Sequence, residues 1–235
     1  MNKRVAVLSM FAAVGLSTAS GAAAQQRTIE PDLARLAEGQ GLQVFNRHVT
    51  SFSDSAKKGI RLSENLDAGV AYLPGVEFAN GVIEAEIAGA PSPGAPVPGF
   101  VGIAFRLQNG TYDAFYLRPT NGRAEDQERR NHATQYVSHP DWPWFRLRKE
   151  FPSKYESYVD LVPDVWTKIK IEVRGERARL YVHGQEQPTL IVNDLKSGAQ
   201  GKGGVALWID QGTVAYFRNL TVKLEPDGKK SPPVR

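Results

Sequence analysis

The stretch KIKIEVR, Lys168 to Arg174, alternates strictly between charged and apolar side chains. Successive side chains on an extended chain point to opposite faces, so this pattern suits a strand with one face in a core and one in water. Ile169, Ile171 and Val173 form the inner set, and Lys168, Lys170, Glu172 and Arg174 the outer set. RLYVHG follows after a turn at Gly175-Glu176 and completes a hairpin. The same period recurs in LQVFNRHV, GIRLSE, GVAYL, GVIEAEIAG, FVGIAFRLQ, YDAFYLR, TLIVNDL, GGVALWID and TVAYFRNLTVKL, giving eleven runs in all. Helices do not alternate with them, which argues against parallel βαβ units and for an all-β, antiparallel, two-sheet sandwich of the jelly-roll type. The 22 glycines and 15 prolines supply its turns, and 41% hydrophobic residues supply its core.

Four segments follow. Residues 1–24 read as a secretory signal: Lys3 and Arg4, an apolar run from Val5 to Leu16, then small residues ending in Ala22-Ala23-Ala24. Residues 25–41 form an N-terminal extension with a short helix, Leu33 and Leu36 on one face and Gly39 as its stop. Residues 42–224 make the sandwich, and residues 225–235 a disordered tail. Export to the periplasm or medium of a bacterium is the expected location, with no membrane contact after signal cleavage. Zero cysteines rule out disulfides and thiol chemistry. The formal charge of +4 falls to +2 without Lys3 and Arg4, and DGKKSPPVR, residues 227–235, carries a further net +2. The body is therefore near neutral, which offers nothing to a nucleic-acid backbone. The oligomeric state is not legible.

One segment breaks the rhythm. Pro119 to Asp164, 46 residues, holds no clear strand, yet it contains Trp142, Trp144, two histidines, Arg123, Arg129, Arg130, Arg146 and Arg148. So long a connection in a compact domain is unusual and often functional. Its aromatics predict an ordered insert packed over the sandwich.

The strand faces name candidate site residues. Opposite the apolar side of their strands lie Gly102, Ala104 and Arg106; Tyr112, Ala114, Tyr116 and Arg118; Ala206, Trp208 and Asp210; and Glu84 and Glu86. If these four strands share a sheet, its outer face is a trough lined by aromatics, guanidiniums and carboxylates. Aromatic faces stack on the C–H face of a sugar ring, while arginines and carboxylates pair with hydroxyls. The insert covering that face is the alternative, and the two are compatible. Trp142 and Trp144, flanking Pro143, either form a second stacking platform or anchor the insert. Arg123 and Gln135 are further candidates for hydrogen bonding to a saccharide. His132 and Tyr136 have the groups for proton abstraction and donation in an elimination, or simply fix the insert. Glu84 and Glu86, at i and i+2 with Cβ atoms about 7 Å apart, have the separation of a glycosidase pair but also suit an ordinary solvated face. Asp126 and Arg130, four apart, read as a local ion pair. No metal-ligand spacing occurs and no cofactor is expected; nothing supports a structural calcium, though a sandwich has room for one.

VWTKIKIEVRGERARLYVHGQ and GKGGVALWIDQGTVAYFRNLTVKL, with FANGVIEAEIAG and FVGIAFRLQNGTYDAFYLRP before them, resemble concanavalin A-like (laminin-G/glucanase-type) jelly-roll domains. The nearest group is that of bacterial exported 3-keto-disaccharide hydrolase-like domains, over residues 42–224. The resemblance implies an oligo- or polysaccharide ligand, bound on the outer sheet face, with glycoside cleavage or a structural, protein-binding role as alternatives. The glucanase motif E-x-D-x-x-E is missing, since the comparable strand reads EAEIAG, and its double-displacement mechanism does not carry over.

Overall fold

The computed structural model describes residues 26–39, 41–54, 57–95 and 99–225. The expected signal segment and the expected tail beyond Glu225 lie outside the described residues. The chain runs β1 (Arg27–Ile29), α1 (Leu33–Glu38), β2 (Gln43–Phe45), β3 (Val49–Asp54), β4 (Lys57–Leu62), β5 (Gly69–Tyr72), β6 (Gly81–Pro91), β7 (Val101–Gln108) and β8 (Thr111–Leu117). A 3-10 turn (Pro119–Asn121), α2 (Gln127–Asn131), β9 (Thr134–His139), α3 (Trp144–Glu150) and β10 (Glu156–Ser157) follow. The chain closes with β11 (Thr167–Arg174), β12 (Arg177–Val182), β13 (Leu190–Val192), β14 (Gly204–Ile209) and β15 (Thr213–Leu224). All pairings between these strands are antiparallel.

Two sheets form. One has the order β13-β12-β11-β6-β15-β4-β3, with β1 on the far half of β15; the other has the order β10-β9-β8-β7-β14-β5-β2. Late strands thus insert between early ones in both sheets, which is the jelly-roll interleaving. The core lies between them. Ile83, Ile87, Ile171 and Phe217 meet Ile103, Phe105, Phe115 and Leu207, all at most 1% exposed. Each such side chain contributes about 1.5–3 kcal/mol by leaving water. Helix α1 begins at Asp32, whose carboxylate accepts from the Arg35 N–H, and stops at Gly39. No helix among the described residues is long and apolar enough to cross a membrane.

The insert is ordered, but it is not a loop laid over the sandwich. It extends the seven-stranded sheet: β9 pairs along β8, and β10 pairs with β9. Thr134, Gln135, Tyr136 and Val137 are all buried. A strand buried on both faces shows no polar–apolar alternation, so TQYVSH carries no period to find.

Strand β6 lies in the eight-stranded sheet, so only three of the four trough strands share a face. Glu84 and Glu86 accordingly point away from the rest. Glu84 accepts from Lys223 Nζ at 2.9 Å, and Glu86 from Arg218 Nε at 2.8 Å and Asn219 Nδ2 at 2.7 Å.

Candidate functional site

The register places Phe45, Val70, Trp208, Gly102, Tyr116, Gln135 and Glu156 on one rung across all seven strands of the second sheet, on its outer face. Gly102 is the gap in that rung. A Cβ there would meet Phe115 O at 2.1 Å and Tyr116 Cβ at 2.6 Å. Without one, Tyr116 and Trp208 lean across it and stack at 4.7 Å. Trp208 Nε1–H donates to Tyr112 Oη at 3.1 Å, and Tyr112 stacks on His139 at 4.9 Å. These rings seal the middle of the face. Ala104, Ala114 and Ala206 beneath are 0% exposed, Tyr116 2% and Trp208 5%. The buried rings offer no open stacking surface in this part of the sheet.

The face opens at the Arg118 end. Arg118 follows β8, and its N–H continues the ladder to Ala133 O. Its guanidinium is held from several sides. Nη1 donates to Glu156 Oε1 (3.0 Å) and His132 O (3.1 Å); Nη2 donates to Gln135 Oε1 (2.8 Å) and Tyr116 Oη (3.0 Å). Burial pushes the Tyr116 hydroxyl up to about 12, so it stays neutral and can accept that bond. Arg148, one helical turn beyond Trp144 on α3, forks onto the same carboxylate, with Nε at 3.0 Å from Glu156 Oε2. Burial would raise Glu156, but the hydrogen bonds from Arg148 and Arg118 prevail and hold it below the ordinary glutamate value.

Above this hub sits a cavity of about 590 Å³, lined by Phe100, Arg118, Asn121, Asp126, Glu128, Arg129, His132, Trp144, Arg148, Asp210 and Gln211. Phe100 stacks on Tyr116 at 5.8 Å. The Trp144 ring, in a residue 41% exposed, has the Arg148 guanidinium over it at 4.7 Å. Arg129 Nε donates to Asn121 Oδ1 at 3.0 Å. Asp210 ends β14; Arg47 holds its carbonyl at 2.9 Å, and its Oδ1 accepts from the Gln211 N–H at 2.8 Å. Burial raises the Asp210 carboxyl above the usual aspartate value, against the Gln211 hydrogen bond and the Arg118 and Arg47 charges. His132 caps the C-terminus of α2, with Nε2 at 3.5 Å from Glu156 Oε2. Burial lowers its imidazole below the ordinary histidine value, although Glu156 opposes this. One cavity is therefore lined by an aromatic ring, an accepting carboxylate in Asp210, a donating guanidinium in Arg129 and a histidine biased to its neutral form.

Arg118, His132, Trp144 and Asp210 of the candidate residues meet in this cavity, with Tyr116, Gln135 and Trp208 supporting its floor and neighbourhood. The others go elsewhere. Arg106 sits in a β-bulge with φ +54°, where the register of β7 shifts, and alternation does not carry across it. Its guanidinium ties Ala79 O, Gly175 O, Gly198 O and Ser197 Oγ together. Arg123 forks onto Asp160 at the surface. Tyr136 faces the core, 0% exposed, with its hydroxyl donating to Asp113 Oδ1 at 2.7 Å, so it does not pair with His132. Trp142 and Trp144 share no platform. Trp142 bridges Ser138 and lies under Arg146 at 3.8 Å, while Pro143 starts α3 and turns Trp144 to the cavity. Asp126 caps α2 through the Arg129 N–H at 2.7 Å, and Arg130 lies over Tyr158 rather than pairing with it.

Sequence reasoning missed Phe100, Asn121, Glu128, Arg129, Arg148, Glu156 and Gln211 as site residues. Helical spacing was the signal for one of them: in WFRLRKE, Trp144 and Arg148 are i and i+4 and share a face. Among the described residues no group of three or more His, Asp or Glu side chains is placed to hold a metal ion.

No protein-family model matches the chain, and no curated protein matches it. Solved structures do. A protein of unknown function with a galectin-like fold from Bacillus subtilis superposes with TM-score 0.55 at 12% identity, covering 84% of this chain and 96% of that one. The carbohydrate-binding module CBM66 from Bacillus subtilis gives 0.52 at 12% identity, over 77% and 95%. The carbohydrate recognition domain of Emp46p gives 0.51 at 10% identity, over 83% and 94%. At these identities the likeness shows the fold: a concanavalin A-like jelly-roll sandwich.

Proposed function

We propose that this chain is an exported saccharide-recognising domain whose ligand enters the cavity at the Arg118 end of the seven-stranded sheet. The observation that carries the reading is the half-open Trp144 ring lining one cavity together with Asp210 and Arg129. An indole plane covers the C–H face of a sugar, and a carboxylate and a guanidinium set its hydroxyls. Two of the structural neighbours are described as binding or recognising carbohydrate, which supports the reading by analogy of fold. Export rests on the leader-like residues 1–24.

The test is tryptophan fluorescence titration of the mature protein across a broad oligosaccharide panel. A saturable response is expected for at least one glycan, with Trp144→Ala weakening it about tenfold or more, a loss of ~1.4 kcal/mol. No response across the panel would favour a structural, laminin-G-like role. Cleavage of glycosides is the second reading, favoured by the raised Asp210 carboxyl and the neutral-biased His132 in the same cavity. Release of reducing or 3-keto sugar that Asp210→Asn abolishes would establish it.

A further inference from the structure

Resting on the saccharide reading, we infer that the ligand is a neutral sugar presenting adjacent hydroxyls, and that uronate, sulfated or phosphorylated glycans are rejected. The argument is a balance of committed charges. The arginines first suggest an anion site, but Arg118 and Arg148 are already engaged. Arg118 divides its terminal nitrogens among Glu156, Gln135, Tyr116 and the His132 carbonyl. Arg148 forks onto Glu156. The cavity wall also carries Asp126, Glu128 and Asp210. Counting Glu156 and Arg47 beneath it, four carboxylates meet the four guanidiniums of Arg47, Arg118, Arg129 and Arg148. With all four carboxylates ionised the balance is zero. An incoming anion would lose its hydration and meet no surplus cation.

A pair of sugar hydroxyls meets a different wall. Asp210 Oδ1 takes the Gln211 N–H, and its Oδ2 accepts no hydrogen bond from the described residues. Arg129 uses its side-chain Nε on Asn121, and its terminal amines have no partner among the described residues. In the cavity that Trp144 lines, an acceptor oxygen and a fork of donors without partners among the described residues match hydroxyls that both donate and accept. A carboxylate would meet the Arg129 fork on a wall that also carries Asp126, Glu128 and Asp210.

The experiment uses oligosaccharide pairs that share a skeleton and differ at C6: gluco- and glucurono-, galacto- and galacturono-, manno- and mannurono-oligosaccharides. Each is titrated into the mature protein by calorimetry at low and high salt. The neutral member of at least one pair is expected to bind, its Kd flat with salt, and its acidic partner to bind at least about tenfold more weakly. Glu128→Gln should narrow that gap severalfold. An acidic member binding as tightly as its partner or more so, or a gap that Glu128→Gln leaves unchanged, would overturn the inference while leaving the saccharide reading intact. Silence from every pair, together with silence across the broader panel, would remove the saccharide reading and this inference with it.

Discussion

The outer faces of the two sheets begin from the same alternation and end as different surfaces. On the eight-stranded sheet, Lys168 stands opposite Glu86 and Lys170 opposite Glu84, with Lys223 also on Glu84. These side chains keep a share of water; Glu84 and Lys223 are 25% and 39% exposed. On the seven-stranded sheet, the corresponding charges are drawn inward: Glu156 is 2% exposed and Arg118 4%. The first face groups Trp166 and Phe52 toward one end, where Trp166 lies over Arg218 at 3.7 Å and Phe52 stacks on Trp166, and sets Tyr181 under Lys170 at 3.9 Å within the ladder. The second is roofed by Tyr116, Trp208, Tyr112 and Phe100 and then opens into a cavity. A charge in water is cheap to keep and contributes little; a buried one must be fully paired. The seven-stranded face holds its ion pairs where they are costly to break, and those pairs form the cavity floor.

Breaking one pair on each face gives the sharpest contrast. Glu156→Gln leaves two guanidiniums around a neutral amide and should cost ~3 kcal/mol. Glu84→Gln, on the solvated ladder, should cost about 0.5 kcal/mol. Urea denaturation of the two variants measures both, and equal costs would mean that the two faces are energetically alike. The Glu156 stabilisation also has a pH signature. Its folded-state value is lowered, so the contribution is present above the ordinary glutamate value and is lost as pH falls through the lowered one.

A smaller effect of opposite sign is expected at Asp210, whose folded-state value is raised by burial. A raised carboxyl favours the fold below its unfolded value, and that contribution is lost as pH rises through the folded one. Asp210→Asn should therefore raise the thermal midpoint at neutral pH, with the gain closing on acidification. A lower midpoint at neutral pH would show that the ionised carboxylate is supported by partners in the fold. A site residue that weakens the fold is what a binding role would leave behind.

Much of the fold was legible because half-buried strands must alternate. Every one of the eleven runs contains at least part of a strand, and α1 starts and stops at its capping residues. The site was legible only in part. Tyr116, Arg118, Trp208 and Asp210 lie on or next to regular strands that share a sheet, so face assignment succeeded for them. Arg106 follows the same rule on paper, but a bulge turns it away, and a bulge has no period. Glu84 and Glu86 alternate correctly on the wrong sheet, because alternation names a face and not a neighbour. The insert residues Arg129, Arg148 and Glu156 depend on contacts far apart in sequence, such as Arg118 to Glu156, which no local pattern encodes.

The most direct test follows the four indole N–H signals in a two-dimensional proton–nitrogen spectrum, assigned by single Trp→Phe replacements, while a responsive glycan is added. The Trp144 signal should shift with saturation, and that of Trp166, on the opposite sheet, should stay in place. A saturable shift at Trp166 with Trp144 unmoved would contradict the cavity as the saccharide site.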